Sequence, residues 1–100
     1  MKAIQMSGPG GSEVLEYNNV QDPVPGPGDV LVQLKAIGVN YMDIYVRSGT
    51  YPIPSLPLIL GSEGAGEVLA IGDDVSGFKQ GDLVAYTGVP QSYAQKIVCP

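Results

Sequence analysis

Alternation of apolar and polar positions is clearest between residues 30 and 37. Val30, Val32, Leu34 and Ala36 fall on one face, and Gln33 and Lys35 share the other with Leu31 and Ile37. A side-chain period of two belongs to an extended chain, so this stretch is predicted to be a strand. Residues 2–6 and 14–20 read as an antiparallel hairpin closed by the turn formers of residues 8–11. Further short strands are expected over 66–71, 82–86 and 93–98.

The alternation fails between Tyr41 and Arg47. Asn40 stands in front of that run as a helix N-cap, about two helical turns follow, and Gly49 supplies the stop, giving one short helix near residues 41–48. Pro52, Pro54 and Pro57 keep the next segment extended. The run Pro23-Val24-Pro25-Gly26-Pro27-Gly28-Asp29 lacks the donors for a ladder and reads as a surface loop inside the domain. Fourteen glycines and nine prolines cut the chain into pieces of strand length, the spacing of a mostly β barrel or sandwich. There is no internal repeat and no low-complexity tract.

One hundred residues make one domain, with a core that hides only about 60–65% of the unfolded chain's surface. An apolar fraction of 44% against 15% charged residues describes a globular chain and not a disordered one. The net charge of −5, with no basic run, argues against a nucleic-acid or anionic-membrane partner. Ser7-Gly8-Pro9-Gly10-Gly11 interrupts the place where a signal peptide needs an apolar stretch, and no run approaches a membrane span, so the cytoplasm is the expected compartment.

Cys99 is the sole cysteine and histidine is absent. An internal disulfide, a zinc site built from nitrogen and sulfur, and a Ser-His relay are therefore all out of reach for this segment. Cys99, near the end of an expected strand, reads as a small buried hydrophobe and is assigned no catalysis. Asp73-Asp74 reads as a turn, since two neighbouring carboxylates without further oxygen ligands make no calcium site. Gly64-x-Gly66 is no dinucleotide fingerprint, because Leu69 stands where a small residue is required and a strand, not a helix, follows. Its glycines suit close backbone approach or positive φ at a strand entrance, with Glu63 available for a hydrogen bond at a cleft edge.

Four ordered blocks carry a resemblance. Residues 38–52, GVNYMDIYVRSGTYP, closely resemble the segment of quinone oxidoreductases that enters the active-site cleft. Gly61-Ser62-Glu63-Gly64-Ala65-Gly66-Glu67-Val68, with Gly72 and Val75, resembles the glycine-rich signature of the medium-chain dehydrogenase/reductase superfamily. Phe78-Lys79-Gln80-Gly81-Asp82-Leu83-Val84 resembles its continuation, and Gly10-Gly11-Ser12-Glu13-Val14-Leu15 its start. The chain thus resembles the N-terminal domain of zinc-free, zeta-crystallin-like quinone oxidoreductases. The resemblance implies a GroES-like, partly open β-barrel over residues 1–100, incomplete at its C-terminal end. It also implies a Rossmann domain absent from this chain, facing the barrel across a cleft.

Zinc-dependent members of the superfamily carry a ligand cysteine where this chain has Asn40 and a ligand histidine where it has Ser62. They also have a cysteine-rich lobe in place of the short loop at residues 86–92. The resemblance therefore implies chemistry without zinc. A simple ketone taking up hydride develops a localised alkoxide that a metal stabilises by several kcal/mol, whereas a quinone or enone spreads the charge over a π-system. Conjugated carbonyl acceptors and NADPH are the implied reactants, the NADPH held mainly by the absent domain. The segment alone is expected to bind it weakly and to be inactive.

By position, the family pattern places Asn40 and Tyr45 beside the nicotinamide and its ribose as the catalytic and cofactor-binding pair. It places Tyr41, Tyr51 and Arg47 toward the substrate. A homodimer is implied for the full-length enzyme. The residues taken alone leave plainer roles open: Asn40 as a helix cap, Asp43 and Arg47 as an i, i+4 surface ion pair or as shapers of the cleft, and Tyr45 and Tyr51 as half-buried packing. Two other functions remain open, an enoyl or enone reductase of the same superfamily and a stand-alone GroES-like binding module. The rigid, proline-rich loop at residues 23–29 is unlike the mobile apolar loop by which a co-chaperonin ring subunit grips its partner.

Overall fold

The computed structural model describes all residues 1–100. The first hairpin joins β1 (Lys2–Met6) to β2 (Leu15–Asn19), antiparallel, with Lys2 opposite Asn19 and Met6 opposite Leu15. Val14 ends a short 3-10 turn (Ser12–Val14), so the return strand starts one residue later than the pattern suggested. β3 (Val30–Ile37), the short helix α1 (Tyr41–Arg47) and a two-residue β4 (Leu58–Ile59) follow. The remaining strands are β5 (Glu63–Ile71), β6 (Leu83–Thr87) and β7 (Lys96–Cys99).

These strands form two antiparallel sheets, ordered β2-β1-β4 and β6-β5-β3-β7, that do not close on themselves. Residues 93–95 join them. Ile4 N–H donates to the Tyr93 carbonyl at 2.8 Å on the first sheet, and Leu34 N–H donates to the Gln95 carbonyl at 2.8 Å on the second. The expected strand over 93–98 is thus a crossing followed by β7, because the chain changes sheets at Ala94, which bridges to Ala3. β2 and β6 are left as unpaired outer edges, so the two sheets make a partly open barrel.

The core is thin. Met6, Val32 and Val68 are its largest fully buried apolar side chains, with Ala3, Leu60, Ala94 and Ile97 around them. The register of β3 against β5 shifts twice, with Leu69 the extra residue on β5 and Lys35 the extra residue on β3. Only the second interrupts the alternation of β3 itself. From Lys35 onward the strand is exposed, Ala36 included, although Ala36 keeps step with the buried Val32.

The glycine-rich segment enters β5 three residues earlier than expected, and its glycines serve the sheet. Gly61 has φ +97°, the left-handed region that glycine adopts freely, and a Cβ there would stand 2.5 Å from the Tyr93 ring. At Gly66 a Cβ would overlap the Gln33 carbonyl oxygen, so β3 and β5 approach as they do only because no side chain intervenes. The loop after β6 is held from inside: Tyr86 Oη–H donates to the fully buried Ser92 Oγ at 2.7 Å, and Ser92 Oγ–H donates to the Val89 carbonyl at 3.1 Å.

Candidate active site

The helix α1 forms where the sequence placed it. Asn40 is extended at φ −126°, ψ 157°, and its backbone N–H donates to Asp43 Oδ2 at 3.0 Å, the charged half of a capping box. At the other end Ser48 closes the helix and Gly49 takes φ +86°. The Tyr45 carbonyl accepts from the Thr50 N–H at 2.9 Å and from the Tyr51 N–H at 3.3 Å.

Seven residues are too few for a helix to stand by itself, and α1 is tied to the rest of the domain at both ends. Near its start, Tyr93 Oη–H donates to Asp43 Oδ2 at 2.6 Å. Near its end, Gly10 N–H donates to the Arg47 carbonyl at 2.9 Å, and Arg47 Nε–H returns a bond to the Gly10 carbonyl at 3.2 Å. No ion pair links Asp43 to Arg47. That reading of the i, i+4 spacing fails because each side chain has a better partner outside the helix, and Asp43 is only 6% exposed.

At 100° per residue these ties split the helix into two faces. Asp43, Ile44 and Arg47 turn toward an open apolar groove of about 710 Å³, walled also by Ile4, Leu15, Ile37 and Leu60. Tyr41, Met42 and Tyr45 turn away from it and are exposed. Tyr45 is brought against Tyr51, ring edge to ring face, with centroids 5.8 Å apart. Of the five residues predicted from the sequence, Asn40 heads the helix, Tyr45 and Tyr51 form one exposed aromatic pair, and Tyr41 stands 79% exposed on the same side. Arg47 lies apart from them and lines the groove.

Similarity to known proteins follows this architecture. The family model of the alcohol dehydrogenase GroES-like domain matches residues 26–99. The chain belongs to the alcohol dehydrogenase GroES-like domain family. It is 55% identical over 95 residues to a quinone oxidoreductase of Pseudomonas aeruginosa, covering 94% of this chain and 29% of that one. The crystal structure of a quinone oxidoreductase from Pseudomonas syringae pv. Tomato superposes with a TM-score of 0.94 at 54% identity, over 99% of this chain and 31% of that one. The Escherichia coli quinone oxidoreductase complexed with NADPH also gives 0.94, at 38% identity, over 98% of this chain and 30% of that one. The chain thus spans about a third or less of the length of these relatives.

Within this family domain, Tyr93 is the distant side chain tied to the start of α1. The capping spacing Asn40-x-x-Asp43 was the available signal for Asp43, but nothing local marks Tyr93, which lies fifty residues on. Burial, and then the hydrogen bond and negative charge of Asp43, push the Tyr93 phenol above its ordinary value of 10.0. A raised value means that the unfolded chain releases this proton first, so the contribution is whole below pH 10 and is lost as pH rises beyond it. The urea midpoint is expected to fall between pH 9 and 11 less steeply in Tyr93→Phe than in the parent protein. Cys99 is half-buried, and burial followed by the Asp29 charge pushes its thiol up, as suits a packed side chain and not a nucleophile.

Proposed function

We propose that the protein carrying this chain transfers hydride from NADPH to a quinone or related conjugated carbonyl, without zinc. The observation that carries this reading is the exposed side of α1, a helix tied at both ends, where Tyr45 meets Tyr51 just beyond the helix and the half-buried Asn40 caps the first turn. Its support is the likeness to enzymes named quinone oxidoreductases, one of them solved with NADPH.

In this reading Asn40 and Tyr45 border the nicotinamide and its ribose, orienting them by hydrogen bonds, while Tyr41 and Tyr51 offer flat aromatic surface to the acceptor. Arg47, on the other face of the helix, would act on the substrate side only by shaping the groove wall. The nicotinamide, when bound, supplies the hydride, and the chain's own residues supply placement and shielding from water.

The dinucleotide phosphates find no cradle in this chain. Gly64 and Gly66 lie inside β5, where a Cβ at either would press on β3, so neither is free to approach a phosphate. NADPH is therefore held mainly by a Rossmann domain on the far side of the cleft, and the whole protein is read as a cytoplasmic homodimer. The zinc-free reading rests on the donors: no histidine, one half-buried thiol, and no cluster of three His, Cys, Asp or Glu.

The test is NADPH oxidation by a quinone series with the whole protein after dialysis against a chelator. Turnover that survives chelation, in protein holding no stoichiometric zinc, is the expected result. Turnover that vanishes on chelation and returns with zinc would contradict the proposal.

A further inference from the structure

We infer that Tyr93 and Asp43 are positioning residues, whose hydrogen bond fixes the first turn of α1, and with it Asn40, against the junction of the two sheets. The consequence for turnover rests on the reductase reading above; the tether itself does not.

Asp43 is a buried carboxylate, and such a group is tolerated only where donors converge on it. Both of its donors reach the same oxygen, Oδ2: the Asn40 N–H at 3.0 Å and the Tyr93 hydroxyl at 2.6 Å. A continuous chain of two charge-assisted bonds therefore runs from the phenol through the carboxylate to the main chain of Asn40.

The phenol end of that chain is fixed. Tyr93 N–H donates to the Leu60 carbonyl at 2.8 Å, its own carbonyl accepts from Ile4 at 2.8 Å, and its ring fills the space left by Gly61. Tyr93 thus projects from the crossing that joins the sheets, its backbone held on both sides and its ring packed on Gly61.

The Asn40 end has little else to hold it. The last anchor of β3 is the Gly38 N–H to the Glu63 carbonyl at 3.1 Å. Val39 is 76% exposed, and Tyr41 and Met42 face solvent. Between Gly38 and the Arg47–Gly10 bonds at the far end of the helix, and apart from the bonds to the Tyr45 carbonyl that close its C-terminal end, the Asp43–Tyr93 bond is the one hydrogen bond from this segment to another part of the fold. Losing it leaves Asn40 on a short, exposed, untethered turn.

The experiment compares Tyr93→Phe, Asp43→Ala and Asp43→Asn in the whole protein by two readouts, hydrogen exchange of the Asn40 amide and steady-state oxidation of NADPH by a quinone. Tyr93→Phe is expected to speed Asn40 exchange at least tenfold. It should also lower kcat by about tenfold with little change in the KM for NADPH, since small misplacements at a reacting centre cost up to ~10²-fold. Asp43→Ala should exceed both effects. Asp43→Asn, whose amide oxygen accepts both bonds, should stay within about threefold of the parent.

Unchanged Asn40 exchange in both Tyr93→Phe and Asp43→Ala would overturn the inference. So would a kcat that stays at the parent value in folded variants of an active protein, or an Asp43→Asn as damaging as Asp43→Ala. A parent protein that oxidises NADPH with no quinone would sink the reductase reading alone, and the exchange comparison would then decide the tether by itself.

Discussion

Gly66→Val is expected to leave no folded protein. The position lies in the middle of β5, opposite Leu34 of β3, and the first carbon of any side chain would overlap the Gln33 carbonyl oxygen and stand 2.8 Å from its carbon. Overpacking costs about 1–3 kcal/mol where side chains give way. Here the obstacle is backbone, so relief requires β3 and β5 to part along the longest ladder in the fold. A domain of this size has only about 5–15 kcal/mol to lose. Circular dichroism and urea unfolding of Gly66→Val, with Gly66→Ala as the milder case, would read the loss. Gly8, whose added Cβ would meet nothing within 4 Å, is the control, and Gly8→Ala should stay within about 0.5 kcal/mol of the parent.

The second large effect falls on turnover and spares the fold. In the whole protein Asn40→Ala is expected to lower kcat/KM for NADPH-dependent quinone reduction by about 10²-fold, the loss typical of one preorganised donor at a reacting centre. Its effect on stability should be at most the ~1 kcal/mol of a lost helix cap, since the carboxylate half of the capping box belongs to Asp43. Tyr45→Phe keeps the ring that meets Tyr51 edge to face and removes only the hydroxyl. A loss of about tenfold in kcat/KM without a shift in unfolding midpoint is expected for it. Equal losses of activity and folded fraction in both variants would return Asn40 and Tyr45 to the roles of cap and packing residue.

Local signals in the sequence carried the fold a long way. The alternation at Val30 to Ile37, the turn formers between β1 and β2, and Asn40 and Gly49 around α1 each act over a few residues, and each element stands where they placed it. What escaped depended on contacts between distant parts of the chain. β4 is two residues after a run of prolines, too short for any period to show, and exists only because Gln5 and Met6 offer an edge. The crossing at residues 93–95 looks like plain strand until β1 and β3 compete for its hydrogen bonds.

The candidate site divides along the same line. Asn40, Tyr41, Tyr45 and Tyr51 sit close together in the chain, and the helix that puts Tyr41 and Tyr45 on one side was visible in the spacing. The i, i+4 spacing of Asp43 and Arg47 left open a surface ion pair or a part in shaping the cleft. The fold separates them because Gly10 and Tyr93, contributed by the first hairpin and by the sheet crossing, offer closer partners. A buried carboxylate bonded to a phenol fifty residues away follows from topology, and no local pattern announces it.

We propose hydride transfer to a conjugated acceptor without a metal. Its most direct test is a single competition in which the metal-free whole protein and NADPH are offered a quinone and a saturated ketone of similar size. Oxidation of NADPH matched by loss of the quinone, with the ketone untouched, is the predicted result. Reduction of the ketone at a comparable rate would contradict this reading, because conjugation of the acceptor would then contribute nothing to stabilising the developing negative charge.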